Sequence, residues 1–208
     1  MRKLLLSAAL LCAALGVGAQ DIQLPHPDKS NPTTLYRALE KRHSSRAFSA
    51  TELSDAQLSS ILWAACGINR PDEGRITAPS AINAQDIQVY VVRRDGAYLY
   101  LPAENKLRKV SGKDLRQAVA GGQQFAATAP VSLVLASDHS KFGDRRDGAG
   151  RMGLIDSGYV SMNISLACAA MGLETIPRMT MDTDTLRKEL GLTDSVELIL
   201  NQQVGYGK

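Results

Sequence analysis

Residues that bind metals or cross-link chains are scarce in this sequence. Its 208 residues include three cysteines and three histidines, and none of them has the spacing of a zinc site. Cys66 and Cys168 each lie in an apolar, helix-like run, which favours buried thiols, although a disulfide remains open in an exported chain. Glycine-rich dinucleotide and phosphate-binding motifs are absent, and so are internal repeats. The sequence therefore argues against the Rossmann, P-loop and solenoid classes.

The chain also lacks a large charge excess and a long apolar run. Its formal net charge of +3 gives no reason to expect nucleic-acid binding. Arg2 and Lys3 precede an apolar stretch over 4–15, and Val17-Gly18-Ala19 has the small residues of a secretory cleavage site. This stretch is shorter than the roughly 20 residues that cross a bilayer. We therefore predict cleavage after Ala19, export to the periplasm or medium, no stable membrane insertion, and one domain over residues 20–208.

Hydrophobic periodicity predicts several helices, and capping residues mark their beginnings. Thr33 or Thr34 precedes a first helix, and Ser54-Asp55 begins a second one that stops at Gly67. The longest helix is expected over 153–171, where small and apolar residues suit a core or a subunit interface. Further helices are predicted over 113–127, interrupted at Gly121-Gly122, and over 186–190.

Apolar and β-branched runs predict the strands, which lie over 87–92, 98–101, 131–136, 173–181 and 196–204. The run 131–136 is nearly continuous, as in a strand that is buried on both faces of a sheet. Residues 69–86 show no periodicity, so they predict a long ordered loop of the kind that often carries function. Strands and helices intermix without a regular β-α-β order, which predicts an α+β fold.

The segment Lys41-Arg42-His43-Ser44-Ser45-Arg46 concentrates basic and hydroxyl side chains just after the first predicted helix. Guanidinium groups can grip a phosphate through paired, charge-assisted hydrogen bonds, and hydroxyl groups add further donors. The segment therefore suits an anionic ligand. Taken alone, it also fits a solvated basic turn, because such clusters are common on protein surfaces.

Four segments, in the right order, resemble the FMN-dependent nitroreductase family. Arg42-His43-Ser44-Ser45-Arg46 resembles the family's R-x-S-x-[RK] segment, and Pro79-Ser80-Ala81-Ile82-Asn83-Ala84-Gln85 resembles its P-S-x-x-N-x-Q signature. Asn163 through Gly172-Leu173 resembles its long interface helix, and Val204-Gly205-Tyr206-Gly207 its ending. The resemblance covers nearly the whole chain after residue 19. It implies a central, mostly antiparallel sheet flanked by helices, in an intertwined homodimer.

Carried over to this chain, the resemblance implies FMN as the cofactor and names the residues that hold it. Arg42 and Ser44 would bind its phosphate and ribityl region, and Arg46 would lie near the pyrimidine edge of the flavin, where a cation stabilises the reduced ring. The loop that carries Asn83 would reach the flavin of the second subunit. The full cofactor-binding set is Arg42, His43, Ser44, Arg46, Pro79, Ser80, Ala81, Asn83, Gln123, Pro177, Arg178, Met179 and Lys208.

No catalytic side chain is assigned, because the flavin would supply the chemistry; Arg46 and Arg178 are candidates for tuning it. Arg178 could instead form a surface ion pair, and Asn83 could be an ordinary loop residue. Two departures from the family pattern bear on the pocket. Asp86 stands where the family commonly has proline, which could alter the pocket wall, and the sequence ends at Lys208, where many relatives continue to a phosphate-binding basic residue.

The resemblance implies an oxidoreductase with a ping-pong cycle. A reductant, NAD(P)H or another donor, would load two electrons that a small acceptor such as a quinone or nitroaromatic compound then takes. Because nicotinamide nucleotides are chiefly cytoplasmic and the chain is predicted to be exported, the donor remains open. Two other classes also remain: an exported protein that binds flavin or another aromatic ligand without turnover, and a partner-binding module without flavin.

Overall fold

The computed structural model of this protein describes residues 20–208. The predicted signal segment 1–19 and its cleavage site lie outside the described residues. Within 20–208, no helix is long and apolar enough to cross a membrane.

Within residues 20–208 there are five α-helices, and three of them, α1, α2 and α5, begin at residues that the sequence marks as caps. Thr34 caps α1 and accepts a hydrogen bond from the N–H of Arg37. Ser54 and Gln57 form a capping box at the start of α2, and Asp182 caps α5 through the N–H of Thr185. These side chains satisfy N–H groups that have no partner inside the helix. The helices are α1 Leu35–Lys41, α2 Asp55–Cys66, α3 Arg116–Ala120, α4 Ala149–Ala170 and α5 Thr183–Glu189.

In the part of the chain that the structure describes, seven of the nine strands form one sheet, and every neighbouring pair in it is antiparallel. The spatial order is β1-β6-β5-β4-β7-β9-β8, and β2 and β3 form a separate small hairpin. The strands are β1 Ile22–Gln23, β2 Ile68–Arg70, β3 Arg75–Ile76, β4 Ile87–Arg93, β5 Gly96–Leu101, β6 Lys106–Ser111, β7 Val131–Asp138, β8 Glu174–Arg178 and β9 Val196–Gly205.

The central strand β7 is buried on both faces, as its unbroken apolar run predicts. Leu133 and Leu135 pack in a core with α2 and α4, whereas Val134 and Ala136 pack in a second core with α3 and α5. Side chains alternate between faces along a strand, so one apolar run serves both layers. The result is the predicted α+β fold, an antiparallel sheet flanked by helices.

The structure corrects several predicted boundaries. The predicted interruption at Gly121 is confirmed, since that residue adopts φ +57°. The helix before it is shorter than expected, because it begins at Arg116 and has five residues, and the segment after it is a 3-10 helix, Gln124–Thr128. Helix α4 begins at Ala149, four residues before the predicted start, and β8 ends at Arg178 instead of 181. The predicted loop 69–86 contains the β2–β3 hairpin, and β6 was not predicted at all.

Candidate functional site

The basic segment lies along the outer edge of β8, the last strand of the sheet. It begins where α1 ends, and the N–H of Ser45 donates to the carbonyl of Thr175 at 3.0 Å. Further along the chain, buried Phe48 forms a backbone bridge with Gly207. The segment is therefore fixed at both ends by backbone contacts, and its side chains are left to face outward.

The side chains of the segment differ in their exposure. Ser44 and Arg46 are exposed, and Arg42 is half-buried. The Nε2 of His43 lies 2.9 Å from a carboxylate oxygen of Glu174, and its Nδ1 lies 2.9 Å from the carbonyl oxygen of Lys41. His43 therefore contacts Glu174 instead of standing free as a base.

Arg178 lies at the end of β8, with 8% of its surface exposed. Its guanidinium donates at 2.9 Å to the side-chain oxygens of Gln123 and Asn201, and at 3.3 Å to that of Gln203. It also donates to three backbone carbonyls, those of Val119, Ala120 and Thr180. Burial lowers the pKa of this guanidinium from its ordinary value. The alternative of a surface ion pair for Arg178 is wrong, because the group is buried and all of its acceptors are neutral.

Phe125 joins the two arginines that the sequence suggests as tuning groups. The guanidinium carbon of Arg46 lies 5.9 Å from the centre of the Phe125 ring, and that of Arg178 lies 5.5 Å from it. These distances fall within the range of cation–π contacts. Arg46, Arg178 and Gln123 therefore form one cluster around Phe125, a residue that the sequence did not suggest.

In the described part of the chain, the three arginines of this region have no acidic partner, although Glu174 lies against His43. Among residues 20–208, no carboxylate forms an ion pair with Arg42, Arg46 or Arg178. Exposed Lys208 follows Gly207, the residue bridged to Phe48, which brings a further cation to the same end of the sheet. Such a region attracts an anion without first having to break a salt bridge.

The second signature, residues 79–85, forms a strained loop elsewhere on the chain. Ile82, Asn83 and Gln85 have φ between +50° and +59°, a conformation that costs a non-glycine residue about 1 kcal/mol or more. The hydroxyl of Ser80 accepts the N–H of Gln85 at 2.8 Å, and the side chain of Gln85 donates to the carbonyl of Gly74. The loop is thus held in one defined shape.

A cleft of about 240 Å³ opens beside this loop and is bordered by Pro79, Ser80 and Asn83. Two arginines of the small hairpin, Arg70 and Arg75, also border it. Sequence reasoning passed over both, because they lie in a segment without periodicity and match no motif. Arg75 lies 3.7 Å from a carboxylate oxygen of Glu73, so the charge of Arg75 is partly balanced.

The two signature segments do not meet within one chain. Ala81 contacts Asp156 in the first half of α4. The basic segment is bonded to Thr175, whose hydroxyl shares a donor, the side-chain amide of Gln202, with Ser165 in the second half of that helix. At 1.5 Å per residue, Asp156 and Ser165 are about 14 Å apart along the helix. The two segments therefore lie beside different parts of α4.

One face of α4 exposes large apolar side chains between the two segments. Leu154, Ile155, Tyr159 and Met162 are each about half exposed, and their spacing places them on one side of the helix. Leu35, Tyr36 and Leu39 of neighbouring α1 are also exposed. An apolar surface of this kind marks an interaction site in a water-soluble domain.

Asp86, which departs from the family pattern, does not line the cleft. Its side chain is fully buried and accepts a 2.5 Å hydrogen bond from the hydroxyl of Ser137. The departure at this position therefore places a buried carboxylate beneath the loop, and its effect on the pocket wall stays a prediction.

Comparison with known proteins gives a consistent picture. Residues 39–206 match the model of the nitroreductase family. A protein of Methanocaldococcus jannaschii, named as a candidate nitroreductase, is 30% identical over 75% of this chain and 82% of its own length. The crystal structure of a candidate nitroreductase from Ralstonia eutropha JMP134 is 32% identical, covers 97% of this chain and 96% of its own, and superposes with a TM-score of 0.85. One from Anabaena variabilis shares the fold at 20% identity and a TM-score of 0.76, over 91% of this chain and 42% of its own.

Proposed function

This chain belongs to the nitroreductase family, and from that premise we propose that it is an FMN-dependent oxidoreductase. One observation carries the proposal: the family's basic segment lies beside the Arg178 cluster at the edge of β8, and the arginines there have no carboxylate partner among residues 20–208. A mononucleotide phosphate would supply the missing negative charge.

The residues present fit such a ligand. Arg42, Ser44 and Lys208 offer donors to the phosphate and the ribityl chain, and the Phe125 cluster offers an apolar face flanked by cations. Gln123 is exposed and already oriented by Arg178. Pro177 has no N–H, so the backbone donor expected near the flavin ring belongs to Arg178 or Met179. When bound, FMN takes up two electrons from a donor and releases them to an acceptor.

The protein's part in this chemistry is to bind and to stabilise charge. Arg46 is exposed and Arg178 is fixed by neutral acceptors, so both can place positive charge beside a ring that becomes negative on reduction. A buried cation is the more effective of the two, because water screens it less. Because the side chains around the cluster are exposed, an electron donor and then an electron acceptor could each reach the same face of a bound flavin.

We propose that the site is completed by a second copy of the chain. The two signature segments lie beside different parts of α4, and exposed apolar side chains of that helix lie between them. Pairing through that face would bring Pro79, Ser80, Ala81 and Asn83 of one protomer to the basic segment of its partner. The strained shape of the loop is consistent with a binding role.

We propose an exported protein whose donor is NAD(P)H or another reductant, and whose acceptor is a small quinone or nitroaromatic compound. The basis for export is the charge and apolar pattern of residues 1–19. The cationic region favours acceptors that carry negative or strongly electron-withdrawing groups.

The test is a flavin titration of the purified protein. Wild type is expected to bind FMN with a shifted visible spectrum, and Arg42→Gln with Arg46→Gln is expected to raise the dissociation constant at least tenfold, since each lost charged hydrogen bond costs about 1.5–3 kcal/mol. Arg37→Gln is the control, because that arginine is exposed on α1 and pairs with Glu40. A purified protein that is colourless and does not bind added FMN would contradict the proposal.

Turnover separates an enzyme from the alternative, a protein that binds flavin or another aromatic ligand without turnover. In anaerobic stopped-flow mixing, the enzyme's bound flavin should bleach on addition of a donor and recover on addition of menadione or a nitroaromatic compound. Flavin that stays oxidised with NADH, NADPH and dithionite alike would favour a binding protein.

A further inference from the structure

Two buried acids face each other beneath the 79–85 loop. Asp86 is fully buried and Asp156 on α4 is 2% exposed. Gly153, one turn before Asp156 on the same side of α4, lies directly against Asp86, since a Cβ there would come within 3.4 Å of its Oδ2. One oxygen of Asp86 accepts from Ser137, and its other oxygen has no hydrogen-bond partner in a site closed to water. Gly153 makes this close approach feasible, because a side chain there would collide with Ser137.

Asp156 is also the point where the loop is attached to the body of the protein. Its carboxylate accepts the backbone N–H of Ala81 at 2.8 Å. The next residues, Ile82 and Asn83, have positive φ and would relax if that contact were lost. The acid pair therefore lies under the strained part of the loop.

No cation compensates the two acids. Among the residues the structure describes, no arginine, lysine or histidine forms an ion pair with either of them. Asp138 follows Ser137 in β7, and its N–H donates to the backbone carbonyl of Asp86. The carboxylate of Asp138 accepts hydrogen bonds from Ser140 and Ser195 instead. Nearby His139 pairs with Glu197. Within the described part of the chain, Asp156 is thus the one charged group that faces Asp86.

We infer that Asp86 and Asp156 are positioning residues that share one proton and thereby hold the 80–85 loop against α4. With the proton on Asp86, its O–H donates to Asp156, which stays ionised and accepts the N–H of Ala81. With no proton on the pair, two buried negative charges repel each other. The contact with Ala81 then weakens. The inference rests on the proposed function in one respect only, namely that Ser80 and Asn83 of the held loop contact the flavin of the partner subunit.

The pH range follows from the chemistry of the pair. Burial, together with the neighbouring Asp156, raises the pKa of Asp86 to about 6. An acid whose pKa is raised in the folded state stabilises that state at low pH and loses the contribution as pH rises through the raised value. The loop should therefore be held tightly near pH 5 and more loosely near pH 7.5.

Hydrogen exchange at Ala81 in the full-length, flavin-free chain tests this directly. After correction for intrinsic exchange, protection in wild type is expected to fall about tenfold or more from pH 5 to pH 7.5, because the upper pH lies more than one unit above the pKa. Asp86→Asn imitates the protonated acid, so it should keep the protection at both pH values. Asp156→Ala removes the acceptor, so it should lower protection at both.

Asp147→Asn is the matched control, since that acid is exposed just before the start of α4, and it should behave as wild type. Flat protection in wild type, or an Asp86→Asn variant that keeps the wild-type fall, would overturn the inference. If Asp156→Ala does not fold, Asp86→Asn decides the matter alone. FMN titrations at the two pH values separate the two proposals: a protein that binds no FMN at either pH ends the proposed function, while the exchange result still stands.

Discussion

At the scale of single residues, Arg178 shows how a buried charge can be kept without a counter-ion. Six neutral oxygens accept from its guanidinium, three from side chains and three from the backbone. Such an arrangement solvates the cation with fixed dipoles and leaves its field uncancelled. A carboxylate in the same place would have neutralised it. The charge is therefore available to whatever binds beside Phe125.

We expect Arg178→Met to lower the free energy of unfolding by about 2–4 kcal/mol, because buried acceptors lose their donors. Urea denaturation measures this, with exposed Arg37→Met as the control. The same variant should lower the reduction potential of bound FMN in a dye-equilibration titration. If Arg178→Met does not fold, Arg178→Lys retains the positive charge but not the branched guanidinium group. This variant is expected to be less stable than wild type, with a reduction potential of bound FMN close to that of wild type. Unchanged stability in Arg178→Met would contradict the role given to the hydrogen bonds.

At the scale of elements, helix α4 has two different sides. Its inward side carries Val160, Ile164 and Cys168 in the main core, and its outward side exposes an apolar stripe. Stable dimers bury about 1,200–2,000 Å² in total, and a stripe over three turns, extended by α1, is a natural centre for such an area. The helix thus connects the core of one protomer to its proposed partner.

A charge placed on the stripe should separate the protomers. We expect wild type to sediment at twice the mass of the chain and Leu154→Arg to sediment as a single chain, since an unpaired buried charge costs several kcal/mol. Lys188→Glu on the exposed side of α5 is the control and should leave the mass unchanged. If the Leu154→Arg protein remains a dimer, the dimer interface does not include this apolar stripe.

The elements also show which signals a sequence carries and which it does not. Helices with caps, such as α1, α2 and α5, and the doubly buried β7 were predicted because local pattern and final environment agree. Strand β6 was missed because Lys106, Arg108 and Lys109 hide its apolar positions. The basic segment and the signature loop could be found as motifs. Their distance from one another could not, and neither could the pairing of Asp86 with Asp156, because both depend on how distant parts of the chain pack.

At the scale of the whole molecule, the proposed site belongs to the dimer and not to either chain. If so, two defective proteins should restore each other. We expect dimers of Arg42→Gln with Arg46→Gln to bind little FMN, and dimers of Ser80→Ala with Asn83→Ala likewise. After random exchange of subunits, about one quarter of the sites should regain binding, since half the dimers are mixed and each has one intact site.

Flavin fluorescence quenching during co-refolding of the two variants measures this recovery, and each variant refolded alone is the control. Absence of recovery in mixtures that do form mixed dimers would show that both segments serve the same chain.

The bridge between Phe48 and Gly207 ties an early part of the chain to one of its last residues. A ribosome releases Phe48 long before it has made Gly207, so the basic segment lacks this backbone support until Gly207 has been synthesised. Cofactor loading would then have to follow release of the whole chain. If the protein crosses a membrane unfolded, the loading would take place on the far side, and the supply of FMN there would set how much of it becomes active.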